Sequence, residues 1–210
     1  MEPLSYKTVS GRGESLYEDR RSEFIGVCAP VKTEAEAAEF VKSIKKEHPA
    51  ARHNVWAYIL RSGAERYSDD GEPQGSAGVP TLEVMRRVGI SDAVVVTTRY
   101  FGGILLGTGG LLRAYSAAAK QAIDDAGVVR MIPMARLRIT CGYSDHRRIA
   151  FELERLGANI INTDFGADVS ITLLILSERA DELEKRIVEM TAGRIVPARE
   201  RTEFGAEPIA

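Results

Sequence analysis

DAVVVTTRYFGGILLGTGGLLRAYSAAAKQAIDDAG, residues Asp92–Gly127, joins three patterns end to end: an apolar β-branched run, a glycine-dense turn and a long alanine-rich segment. The run DAVVVTT has the composition of a buried strand. GLLRAYSAAAKQAIDDAG carries the spacing of a helix, and Gly127 stops it. Between them Gly102, Gly103, Gly107, Gly109 and Gly110 free the backbone around a helix start expected near Gly109 or Gly110. Strand, glycine turn, helix start is a geometry that suits phosphate, because unpaired N–H groups of a first helical turn point at an anion. The Walker spacing is missing, since no Gly-Lys-Ser/Thr follows, and GTGGLL lacks the third glycine of the dinucleotide fingerprint. The remaining readings are contact with a nucleic-acid backbone and a purely structural one, in which the glycines serve positive φ or close helix–strand packing.

The elements outward from this stretch alternate. SEFIGVCAPV (residues 22–31) reads as a strand, and Thr33 with Glu36 forms a capping box for a helix whose Ala37, Phe40, Val41 and Ile44 share one stripe before Pro49 ends it. NVWAYIL is a second strand, ERYSDDGEPQGSAGVP a long polar loop that starts as a strand end, and Pro80 suits the first turn of a short helix reaching Val88. After Gly127 the rhythm changes. MARLRITCGY is a strand, and SDHRRIAFELERLG a helix capped by Ser144 or Asp145 and stopped at Gly157. ANIINTDF and ADVSITLLIL form a hairpin turning at Gly166. RADELEKRIVEMTAG is a helix ending at Gly193, and RIVPARERTEF a last strand. That order is the split βαβ of a ferredoxin-like domain. The class is α+β with two domains, residues 1–130 and residues 131–210, joined near Val129–Pro133.

The 210 residues, 44% of them hydrophobic, suffice for real cores, and the net charge of −2 excludes a generally basic nucleic-acid binder. Charge is locally uneven: Arg86, Arg87, Arg99, Arg113 and Lys120 face only Glu83 and Asp92 between residues 81 and 123. No apolar run approaches the roughly 20 residues that span a bilayer, and the N-terminus has no signal-peptide core. Cys28 and Cys141 lie far apart in apolar strands, as buried reduced thiols of a cytoplasmic protein would.

Other polar clusters give weaker signals. Asp69, Asp70 and Glu72 match no calcium loop, contain no histidine and read as a solvated acidic turn; Ser76 lacks the G-x-S-x-G elbow. Arg52, His53 and His48 read as capping or phosphate-facing groups, and His146 as solvated. Tyr100, Phe101 and Tyr115 offer faces for bases or for the core, the core being the expectation for Phe101. No metal site and no cofactor are expected.

KKEHPAARHNVWAY, YSDDGEPQGSAGVPTLEVM and VVVTTRYFGGILLGTGGLLRAYSAAAKQAI, in this order, resemble the IMPACT/YigZ family along essentially the whole chain. Thr97 departs from an otherwise apolar strand. The resemblance implies a first domain like domain IV of elongation factor G, with a left-handed βαβ crossover, and a second like domain V. It also implies nucleic-acid or ribosome binding and, from the eukaryotic members, regulation of translation through protein partners; that regulation belongs with a further N-terminal domain that these blocks do not include. By matching position the binding surface is Arg52, His53, Arg99, Tyr100, Gly102, Gly103, Gly107, Gly109, Gly110 and Arg113, with Asp70, Glu72 and Gln74 beside it. No membrane partner is expected. Two other classes stand next to an RNA- or ribosome-binding module: a hydrolase using Asp69, Asp70 or Glu72 with His53, and a protein-interaction module using the C-terminal sheet.

Overall fold

A computed structural model describes residues 5–208. The chain is α+β and divides into two compact units between Arg130 and Met131, with Ser5 falling in the C-terminal unit and Glu207 in the N-terminal one. In order, the N-terminal unit carries β1 (Tyr6–Val9), β2 (Gly13–Asp19), β3 (Ser22–Pro30), α1 (Glu34–Glu47), β4 (His53–Ile59), β5 (Glu65–Ser68), α2 (Gly78–Val88), β6 (Ala93–Tyr100) and α3 (Gly107–Ala126). The long β7 (Val128–Cys141) crosses the division. It is followed by α4 (Tyr143–Arg155), β8 (Asn159–Phe165), β9 (Val169–Leu176), a 3-10 turn, α5 (Ala180–Met190) and β10 (Ala198–Pro208).

The N-terminal sheet runs β2-β3-β6-β4-β5, and every neighbouring pair is antiparallel. β6 sits at its centre and is buried from Ala93 to Arg99 because helices cover both faces. Val94 and Val96 pack under α1 with Val41, Ile44 and Tyr58. Ala93 and Val95 pack under α2 and α3 with Met85, Ala119, Ala122 and Ile123. A strand wedged between two apolar layers loses the polar alternation of a half-exposed strand. The capping of α1 is as the sequence indicates: Thr33 Oγ1 accepts from Glu36 N at 3.1 Å, and the Glu36 carboxylate accepts from Lys32 N at 2.7 Å.

α3 lies flush on β2 and β3. A Cβ at Gly13 would stand 2.1 Å from Ala126 N, and one at Gly26 would stand 2.7 Å from Ala118 O. Ala122 and Ala126 of α3 meet Gly13, and Ala118 meets Gly26, so helix and strands approach closely. The β2–β3 hairpin turns at Arg20 (φ 47°) and Arg21 (φ 66°), two non-glycine residues in the left-handed region.

The C-terminal unit places β10 on β7 and continues β7-β9-β8, the strand order of the ferredoxin-like fold. Its core joins Leu137, Ile139, Ile171, Leu173 and Ile175 of the sheet to Ile149, Leu153, Leu183 and Ile187 of the helices.

Local expectations need four corrections. α3 begins at Gly107, earlier than Gly109 or Gly110. α4 is preceded by Gly142 with no side-chain cap; Asp145 lies inside the first turn and pairs with Arg194 at 3.2 Å, so neither it nor Ser144 caps. The strand read as MARLRITCGY starts earlier, β7 beginning at Val128. His146 is half-buried, its ring 5.4 Å from that of Phe165. Cys28 and Cys141 are free and buried, and burial pushes the Cys28 thiol up to about 12. Among the described residues no helix is long and apolar enough to cross a membrane.

Candidate nucleic-acid interface

The C-terminal end of β6, the start of β4 and the glycine turn meet at one end of the N-terminal sheet. In register His53 stands opposite Arg99, so the two share the α3 side of the sheet. A cavity of about 550 Å³ opens there, lined by Ala50, Arg52, His53, Arg99, Tyr100, Phe101 and Leu105. Four residues nominated from the sequence thus line one concavity: Arg52, His53, Arg99 and Tyr100.

Arg99 does not face solvent as expected. It is 7% exposed, and its Nη1 donates to Glu72 Oε1 at 2.7 Å. The Tyr115 hydroxyl donates to the same oxygen at 2.7 Å, and burial together with the Glu72 charge raises its pKa. The Arg99 guanidinium lies 5.4 Å from the Phe24 ring and 5.5 Å from the Phe101 ring. Tyr115 is a core residue, edge-on to Phe24 at 5.1 Å, and is removed from any base-stacking role. Phe101 reverses its expectation: it is 56% exposed, and Leu105 beside it is 80% exposed. Both sit on the turn between β6 and α3.

The acidic loop is not a solvated turn. Asp69 accepts from the backbone N–H groups of Gly75, Ala77 and Gly78, and so caps α2 from a distance. Asp70 accepts from Asn54 N at 2.7 Å and pairs with Lys45 at 2.7 Å. Glu72 is buried with Arg99. Ser76 donates to the Pro73 carbonyl. His53 Nδ1 meets the carbonyl of Asp70 at 2.9 Å, not a carboxylate. A carbonyl only accepts, so Nδ1 carries the hydrogen and Nε2 is left for other partners. The residues of the hydrolase alternative therefore form no His–carboxylate pair. Gln74 is exposed and does not line the cavity.

The glycines divide by role. A Cβ on Gly102 would fall 2.0 Å from the Arg21 carbonyl carbon, so Gly102 is needed where the turn passes the β2–β3 hairpin. Gly110 is buried against Leu106. Gly103, Gly107 and Gly109 face open space, Gly109 with only Arg113 Nη1 at 3.9 Å. The first turn of α3 has no side-chain cap and no acidic residue.

The hairpin contributes two cations that the sequence reading missed. Arg20 Nη1 donates to the Leu105 carbonyl at 3.1 Å, and Arg21 abuts Gly102. Arg20, Arg21, Arg52 and Arg113 are all exposed, and among the described residues none has a carboxylate partner. Their signal in the sequence, the pair RR in EDRRSEF, is masked by the acids around it.

Residues 20–123 match the family model of the Impact N-terminal domain, and residues 139–194 match a domain of unknown function (DUF1949). The chain is 35% identical over 192 residues to the IMPACT family member YvyE of Bacillus subtilis, covering 90% of this chain and 88% of that protein. It is 32% identical to the IMPACT family member YigZ of Escherichia coli, covering 85% and 89%. Protein IMPACT of Xenopus laevis is 34% identical over 102 residues, 45% of this chain and 32% of that one. A solved structure described as a crystal structure of an hypothetical protein superposes with a TM-score of 0.61 at 30% identity, covering 94% of this chain and 98% of that one.

Proposed function

Because the chain belongs to the IMPACT family, we propose that it is an RNA- or ribosome-binding module acting in the regulation of translation, with the glycine turn and its cavity as the binding surface. One observation carries the reading. Four exposed arginines from three segments gather at the cavity and the turn beside it: Arg52 lines the cavity, Arg20 donates to the carbonyl of the lining Leu105, and Arg21 and Arg113 adjoin Gly102 and Gly109, and among the described residues none has a carboxylate partner. Cations left unpaired beside exposed aromatic surface suit a polyanion whose bases can stack. The uncapped start of α3 adds backbone donors of the kind that meet phosphate. These contacts position a backbone without reading its sequence. Protein partners within the translation machinery and a cytoplasmic location belong to the same reading.

The test is binding of a single-stranded RNA oligomer to the full chain across a salt series. Arg52→Ala with Arg113→Ala should weaken binding and make the log–log salt slope shallower by about 1 to 1.5, at roughly 0.7 per phosphate. The melting temperature should barely move, because both side chains are exposed and unpaired. An unchanged slope, or no RNA binding by the parent chain, would refute the reading.

A further inference from the structure

We propose that the cavity between β4, β6 and the glycine turn is a pocket for one nucleotide unit, its phosphate against Arg52 and His53 and its base against Phe101 and Leu105. The inference rests on the RNA-binding reading above and narrows it from a surface to a site. Its volume, about 550 Å³, lies in the range of small-ligand pockets. A flat backbone-contact surface requires no such concavity. The lining offers both kinds of side chain: Arg52, His53, Arg99 and Tyr100 carry polar groups, and Ala50, Phe101 and Leu105 are apolar.

Charge assigns the polar contacts. The Arg99 charge is already balanced by Glu72 at 2.7 Å, so the cation left for a ligand is Arg52. His53 is held by its Nδ1 hydrogen on the Asp70 carbonyl, and the ring is backed by Gly71, where a Cβ would stand 3.3 Å from it. Nε2 is thereby kept available, and in the imidazolium form it donates to a phosphate oxygen. A base contact explains Phe101 and Leu105, whose large exposure beside a cavity is otherwise unfavourable. Arg99 already stacks near the Phe101 ring and fixes one side of it, leaving the remainder open to a planar partner.

The experiment uses the full chain, a labelled single-stranded RNA, and three competitors: adenosine 5′-monophosphate, adenosine and inorganic phosphate. The mononucleotide should displace the RNA, with adenosine and phosphate each requiring at least about ten-fold higher concentration because each makes only one of the two contacts. Phe101→Ala, at an exposed loop position, should weaken the mononucleotide by about five- to a hundred-fold, the measured span for loss of one base stack. Arg52→Ala should weaken it as well, and the melting temperature should hold in both variants. Phosphate competing as well as the mononucleotide, or a mononucleotide indifferent to both variants, overturns the pocket. RNA that binds but is not displaced also overturns it, while leaving the wider surface reading intact. If neither RNA nor mononucleotide binds, both readings fall.

Discussion

Glu72 ties the glycine turn to the core, since one of its oxygens accepts from both Arg99 and Tyr115 while the side chain is almost fully buried. Removing one member of a buried ion pair strands the other without water, at a cost of about 3–5 kcal/mol. Glu72→Ala should therefore lower stability in urea by about that much, and a loss below about 1 kcal/mol would show that the pair relaxes freely. Glu152 supports the C-terminal unit similarly. Hydrogen bonds from Arg155 and Arg186 hold its carboxyl down at about 2 against an ordinary 4.5. A depressed carboxyl contributes stability that is complete above its unfolded pKa and is lost as pH falls through the folded one. The contribution should thus fade between about pH 4.5 and pH 2, and Glu152→Gln should destabilise at pH 7 yet be nearly neutral near pH 2; an equal loss at both would refute this. At this scale the sequence showed which residues gather but not which way they face. Arg52, His53 and Tyr100, drawn from two of the motifs, line one cavity. Arg99 is buried and Phe101 exposed, against expectation, because the acid that takes up Arg99 comes from a loop 27 positions away in sequence.

The glycine turn combines two kinds of glycine that local sequence does not separate. Gly102 passes so close to the Arg21 carbonyl that a Cβ there has no room, whereas Gly109 lies in the first turn of α3 with open space around it. Gly102→Ala should cost about 1–3 kcal/mol through overpacking, while Gly109→Ala should be neutral or stabilise by up to about 1 kcal/mol through helix propensity. Thermal melting of the two variants decides it, and similar losses would mean that the turn as a whole requires glycine. The same contrast explains which elements were legible. β3, α1, β6 and α3 announce themselves by apolar period, Thr33 and Gly127, all short-range signals. β1 and β2 carry no such signal. GESLYED alternates exposed and covered positions at the sheet edge, and its hairpin turns on Arg20 and Arg21 where a glycine or asparagine would have marked it. The two arginines that complete the candidate surface were lost with that hairpin.

For the whole molecule, the change of rhythm after Gly127 made the two-domain α+β plan and the βαββαβ order readable, because each C-terminal helix has a clear stop at Gly157 or Gly193. A separate linker was not there to be read, since β7 runs straight through it. We propose that residues 131–210 nevertheless fold on their own. The core of this unit draws every buried member from positions 135 to 195, and the Glu152 network with Arg155 and Arg186 is internal to it. A chain of about 80 residues buries enough surface for marginal independent stability. The expressed fragment should be soluble and show one cooperative melting transition in far-ultraviolet circular dichroism. The full chain offers an independent check, because its one tryptophan, Trp56, lies in the N-terminal unit. Tryptophan fluorescence then follows that unit alone, while circular dichroism follows both, so the two denaturation curves should separate if the units unfold independently. Curves that coincide in the full chain, together with a fragment that shows no transition, would mean that the C-terminal unit depends on the rest of the protein to fold.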